Sequence, residues 1–177
     1  DQLVDIRARE RKHLAEAFDP DVRADIEALV AILNTRIAAL EAGIRDTIGQ
    51  SRDMARNYAI LTSAPGVATV TALTLIAHMP ELGRRSPKTI AALAGLAPIA
   101  NESGRRIGKS AIAGGRTRVR CALYMAALGA IRASARFKAT YEQIAARAGS
   151  RKLAIIAIAR KLLVALNAMI RDQKQFI

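Results

Sequence analysis

The sequence predicts an all-α protein: a long helical hairpin or coiled coil, then a compact bundle of about six short helices with a helix-hairpin-helix-like motif. Three observations carry this. Hydrophobic residues make up 51% of the chain and aromatic residues only 3%, so the apolar content is mostly aliphatic and includes good helix formers such as Ala and Leu. Apolar residues recur at the three- and four-residue spacings of a helix face. No segment shows the apolar–polar alternation of a strand, and no internal repeat is present.

The elements follow in order. Residues 3–18 read as a charged amphipathic helix. Asp19-Pro20-Asp21 stops and restarts the chain, with Asp19 as N-cap and Pro20 in the first helical turn. The next helix carries Ile26, Leu29, Leu33, Ile37, Leu40, Ile44 and Ile48 at alternating short helical steps. That spacing makes a narrow apolar seam, as in a helical hairpin or coiled coil. The pattern fades near Ser51 to Tyr58, which separates a hairpin of residues 1–58 from a domain of residues 59–177. Leu61 closes a short helix, Pro65-Gly66 turns the chain, and Val70 to Met79 forms another helix that Pro80 ends. Ser86 caps a helix over 87–94, which Gly95 closes. Residues 97–117 have no hydrophobic period and are rich in glycine, so they read as a loop. Helices follow over 118–134, from Phe137 to Ala148 with Gly149 at its end, and from about Arg151 to Arg171.

Composition narrows the function. With 28 Lys and Arg against 15 Asp and Glu, the formal charge is +13. An excess of this size suits a polyanionic partner, whose counterions are released on binding; the alternative is a solvated basic surface. The uncharged apolar runs are shorter than the roughly 18 residues that mark a membrane span. The N-terminus is charged and amphipathic, unlike a signal peptide. Cys121 is the single cysteine, so no intramolecular disulfide exists; its apolar helical neighbours predict burial. His13 and His78 are far apart and lack a metal-ligand spacing, and most acids lie on the two N-terminal helices. A cytoplasmic protein is expected.

Three features could carry chemistry. In the first, Leu61, Pro65, Gly66, Val67, Val70, Ala72 and Leu75 have the pattern of a helix-hairpin-helix, whose Gly-containing turn exposes backbone N–H groups beside a helix N-terminus. Ala68 stands where a second turn glycine is usual, and a plain helix–turn–helix packing unit reads equally well. The second is the loop over residues 99–120. It holds Arg105, Arg106, Lys109, Arg116, Arg118 and Arg120 against one acid, Glu102, among glycines at 104, 108, 114 and 115. Arginine forks fit phosphate oxygens and glycines let backbone approach a ligand, so phosphate binding is the better reading of this loop. The third is Ser103 in that loop. Its hydroxyl could attack a phosphodiester given a base and a cation, although most Ser-Gly loop serines only cap or turn. Arg151, Lys152, Arg160 and Lys161 either face a nucleic acid or line the polar side of the last helix.

Taken together, Pro65-Gly66-Val67, Ala94-Gly95-Leu96-Ala97-Pro98, Ser103-Gly104, Gly114-Gly115-Arg116, Arg120, Ala122-Leu123-Tyr124-Met125-Ala126 and Arg160-Lys161-Leu162-Leu163 form an ordered series of landmarks. This series resembles the C-terminal domain of the DEDD-type insertion-sequence transposases, the bridge-RNA-guided recombinases related to the Piv and MooV invertases. The resemblance covers about residues 1–171. It implies a transposase that binds DNA and a guide RNA, with Ser103 as the nucleophile that forms a covalent phosphoserine link to DNA during strand exchange. It also implies an N-terminal nuclease domain with four acidic ligands for Mg2+. No residue here maps onto those acids, because the chain begins within the segment that resembles the coiled coil. The chain alone is therefore expected to bind nucleic acid without recombining it. No cofactor is expected within it, a homodimer or higher oligomer is expected through the coiled coil, and the bacterial nucleoid is the expected location. Gly66, Arg105, Arg106, Lys109, Arg116, Arg118 and Arg120 are the expected nucleic-acid contacts. The competing readings are a non-catalytic helix-hairpin-helix module and a helical interaction protein that uses the Ile26 to Ile48 seam.

Overall fold

The computed structural model describes residues 2–99, 102–103, 106–107 and 111–176, with residues 99, 102, 103, 106, 107 and 111 described by their backbone. The chain divides into two compact units, Asp1–Arg52 and Asp53–Ile177.

Unit 1 is a helical hairpin. Helix α1 (Gln2–Glu16) turns at Asp19 into α2 (Pro20–Gln50). The Asp19 carboxylate accepts from the backbone N–H groups of Asp21 and Val22, and Pro20 starts the helix where its missing N–H costs nothing. Arg7 on α1 donates to Asn34 on α2, and Arg23 donates to the carbonyls of Leu14 and Ala17, so α2 folds back along α1. At 1.5 Å per residue α2 outruns α1 by about 24 Å. Of the seam predicted from Ile26 to Ile48, Leu33 and Ile37 are buried while Leu29, Leu40 and Ile44 stand exposed.

Unit 2 contains α3 (Arg52–Thr62), α4 (Thr69–His78), α5 (Pro87–Leu93), α6 (Thr117–Ala133), α7 (Ala135–Ala148) and α8 (Arg151–Asp172). All-α is therefore the fold class. Helix α8 is the axis: α5, α6 and α7 pack on it, and α4 packs on α6. Its Ile158, Leu162, Leu163 and Leu166 meet Leu61, Leu75, Ile90, Val119 and Leu123 in one core. By length and composition α8 could cross a membrane, but more than half of its apolar window is buried in this core and it carries Arg160 and Lys161 at mid-length. Local signals set the helix ends. The Ser86 hydroxyl accepts from Thr89 N–H ahead of Pro87, and the Ser150 hydroxyl accepts from Leu153 N–H. Gly149 ends α7 in the left-handed conformation.

Asn167 is the deepest polar residue of this core, at 2% exposure. Its side-chain oxygen accepts from Gly83 N–H at 2.8 Å and its amide donates to the Arg85 carbonyl at 3.0 Å. One amide thus satisfies two backbone groups of the α4–α5 connection and ties that connection to α8.

The segment predicted as a plain loop carries two short antiparallel ladders. Strand β1 (Pro98–Ile99) pairs with β4 (Ala111–Ile112), and β2 (Glu102–Ser103) pairs with β3 (Arg106–Ile107). The two ladders nest in sequence, making an arm between α5 and α6. Two-residue strands have no apolar period to read, which is why the pattern of the sequence did not expose them.

Candidate nucleic-acid interface and serine arm

The base of the arm is a backbone-to-backbone contact. Gly95 ends α5 with φ +68° and Gly115 precedes α6 with φ +62°. A Cβ on Gly115 would lie 2.2 Å from Gly95 N and 2.8 Å from the Leu93 carbonyl oxygen; one on Gly95 would lie 2.4 Å from the Gly114 carbonyl oxygen. Only glycine fits at either place, by conformation and by space. The Arg116 N–H then donates to Leu93 O at 2.9 Å, so the strand leaving the arm is bonded to the last turn of α5.

Two of the predicted cations reinforce this base. Arg116 forms a two-bond fork with Glu81, at 2.7 and 2.6 Å, and its N–H also reaches the Met79 sulfur. The fork lowers the Glu81 carboxyl from 4.5 to about 2, first through the Arg116 hydrogen bond, then through Glu81's own backbone N–H and the charges of Arg116 and Arg85; partial desolvation opposes them. Arg120 donates to the Gly114 carbonyl and to the Thr117 hydroxyl. Both guanidiniums therefore bond within the fold, at the point where the arm joins α6. Arg118 lies beside them on an exposed position of the first turn.

Above the base, β1 and β4 align Pro98 with Ile112 and Ile99 with Ala111. Farther along, Ser103 is the register partner of Arg106. The backbone thus sets an arginine directly opposite the predicted nucleophile. Arg105 and Lys109 lie outside the described residues.

Gly66 lies between α3 and α4. Its φ is +80°, as a tight turn between α3 and α4 requires, and it presses on α6. A Cβ there would sit 2.2 Å from both the Ala126 carbonyl oxygen and the Ala130 nitrogen, and a Cβ on Gly129 would sit 2.9 Å from the Gly66 Cα. The turn beyond it leaves Ala68, Thr69 and Val70 exposed, and Ala68 caps α4 with no side-chain hydrogen bond.

Cys121 is exposed, against the expectation of burial. The buried positions of α6 are Val119, Leu123, Ala126, Ala127 and Ala130. At about 100° per residue Cys121 falls roughly opposite that stripe, although its neighbours in sequence are apolar.

Charge separates the two units. Unit 2 carries 20 Lys and Arg against five Asp and Glu, while unit 1 has eight against ten. Of the five acids in unit 2, Glu81 is bonded to Arg116 and Asp172 to Arg171. The net positive charge of the chain therefore belongs to the unit that bears the arm. Among the described residues, no group of three or more His, Cys, Asp and Glu stands together.

Residues 58–142 match the model of the transposase IS116/IS110/IS902 family. No curated protein matches the chain. The match is narrower than the resemblance over about residues 1–171. It runs from Tyr58 on α3 to Glu142 on α7 and takes in the Gly66 turn, Glu81, the whole arm and the first turns of α6. Unit 1 and α8 lie outside it. A transposase-related function is what this match supports, with DNA as the partner that such a function requires.

Proposed function

We propose that the chain is the C-terminal part of a site-specific transposase, in which unit 2 binds DNA and guide RNA and the arm presents Ser103 as nucleophile. The observation that carries the reading is the family match centred on the arm, whose base is held by Gly95, Gly115 and the Glu81–Arg116 fork. A nucleophile on such an arm can reach a DNA strand while its root stays rigid.

In the proposed reaction Ser103 Oγ attacks a backbone phosphorus, and its proton passes to a general base. The new O–P bond forms as the P–O bond to one deoxyribose breaks, and the departing oxygen takes up a proton to become a hydroxyl. The phosphoserine ester conserves the bond until a hydroxyl from the exchanged strand attacks phosphorus and releases the serine. Arg106, whose backbone is the register partner of Ser103, is the cation assigned to offset charge on the phosphoryl oxygens. The Mg2+ implied by the resemblance has no ligand group among the described residues, so no step is assigned to it. Oligomerisation is proposed through α2, whose exposed Leu29, Leu40 and Ile44 continue the seam beyond Leu33 and Ile37.

The test is recombination by a chain joined to its nuclease domain, comparing wild type with Ser103→Ala. Protein–DNA adducts are read on a denaturing gel. An adduct and strand exchange in the wild type alone support the reading. Equal exchange by both proteins removes the serine mechanism and leaves a non-catalytic nucleic-acid-binding module.

A further inference from the structure

Helix α8 carries a groove that the serine arm does not account for. Two adjoining depressions, about 520 and 560 Å3, share Ala157 and Arg160 and so run into one another along the helix. The first lies where Leu96, Pro98 and Ile112 at the foot of the arm meet Leu153 and Ile156. The second continues past Val164 to Phe137 on α7 and Phe176 beyond α8, whose rings stack with centroids 6.3 Å apart. The α8 residues involved recur at helical spacing from Lys152 to Ala165, one stripe about 20 Å long.

The floor is apolar and open to solvent. Leu153 is 52% exposed at one end, a large aliphatic surface with no covering element among the described residues. The rim is cationic: Lys152, Arg160, Lys161 and Arg136 line the two depressions, and no acid lines either one. None of these four makes an ion pair among the described residues, unlike Arg116 and Arg171.

We infer that this groove binds single-stranded DNA, with bases laid on the apolar floor and phosphates along the cationic rim. An apolar trough edged by cations is the arrangement that suits an unpaired strand, because every base has an apolar face and every linkage a negative charge. A duplex keeps its base faces stacked inside and would leave the floor unused. Charge complementarity therefore selects a polyanion, the floor selects an unpaired one, and the transposase match makes DNA the source. The groove begins at the foot of the arm, at Pro98 and Ile112. Most of it lies on α8, outside the matched residues 58–142. The inference rests on the reading of unit 2 as a nucleic-acid-binding unit.

The experiment is fluorescence anisotropy of the chain with labelled oligothymidylate of roughly 12 nucleotides, a site size within the usual range for single-strand grooves. Arg160→Glu with Lys161→Glu is expected to weaken binding at least about tenfold and to lower the salt slope by about 1.4, for two lost phosphate contacts. Leu153→Ser is expected to weaken binding about threefold or more with the salt slope unchanged, a loss of apolar contact with a base rather than of charge. Arg84→Glu with Lys88→Glu, an equal charge change on exposed residues that line neither depression, is the control and is expected to cost less than about threefold. Photo-crosslinking of wild type to a 4-thiothymidine strand is expected to label peptides spanning residues 152–165, a readout independent of any variant. Four results would overturn the inference: equal loss in control and groove variants, duplex bound as tightly as the single strand, oligouridylate preferred about tenfold, or displacement by oligoglutamate of equal charge. Crosslinks confined to residues 99–120 would overturn it too. If the wild type binds no nucleic acid at all, the proposed function itself fails; if it binds while the groove variants match the control, only this inference does.

Discussion

Arg116 and Glu81 join α6 to the segment after α4 through two parallel bonds, one guanidinium nitrogen to each carboxylate oxygen at 2.7 and 2.6 Å. Arg116 stands at the exit of the arm and also bonds Leu93 through its backbone, so this pair holds the root from which Ser103 extends.

The pair makes acid stability depend on Glu81. Its carboxyl falls from 4.5 to about 2 on folding, chiefly through the Arg116 hydrogen bond. A folded value below the unfolded one means that the unfolded chain binds the proton more readily. The stabilisation is complete above pH 4.5 and is lost as pH falls toward 2. Thermal unfolding followed by circular dichroism should show wild type losing more melting temperature over that interval than Glu81→Gln does. Parallel curves would mean that the fork contributes nothing to folding.

Three glycines should respond to alanine in three different ways. Gly66→Ala places a Cβ 2.2 Å from α6 backbone at φ +80°, and an unfolding free-energy loss of about 3 kcal/mol or more is expected. Gly129→Ala meets Gly66 Cα at 2.9 Å without a positive φ, and should cost about 1–2 kcal/mol. Gly43 on α2 has open space around it, so Gly43→Ala should stabilise the hairpin by about 1 kcal/mol. Urea titration of each variant gives the order.

Asn167→Ala should cost about 2 kcal/mol, because it orphans Gly83 N–H and the Arg85 carbonyl beside α8. Leu162→Ala, at a fully buried site on the same helix, should cost about 2–5 kcal/mol through the cavity it leaves. The Asn167 loss should come with faster amide exchange at residues 82–86, and the Leu162 loss should not be confined there.

Replacing residues 101–110 by a short Gly-Ser linker should separate binding from folding. The base contacts at Gly95, Gly115 and Arg116 remain, so the melting temperature should change by only a few degrees. The salt slope for duplex DNA should fall by about 2.7, for the loss of Arg105, Arg106 and Lys109. An unchanged slope would place the DNA contacts elsewhere in unit 2.

Much of the helical order was legible in the sequence because its signals are local. Asp19-Pro20, Ser86-Pro87 and Gly149-Ser150 mark helix ends through hydrogen bonds and dihedral preferences that involve only a few neighbouring residues. The clustering of cations around 99–120 and the place of Ser103 among them are also properties of the sequence. Other features depend on partners distant along the chain. Gly66 carries a turn motif, yet what fills the space beside it is the α6 backbone more than 60 residues later. Arg116 counts as one more basic loop residue until Glu81, 35 positions away, takes up its fork. Lys152 and Arg160 lie on a helix whose polar side is visible in its spacing, but a groove exists only once α7, the arm and Phe176 stand beside it. Sequence determined which residues are helical and charged, since propensity and capping act over a few bonds. Tertiary structure decided which cations are consumed in holding the fold and which line a surface, since that depends on opposing groups brought close only by packing.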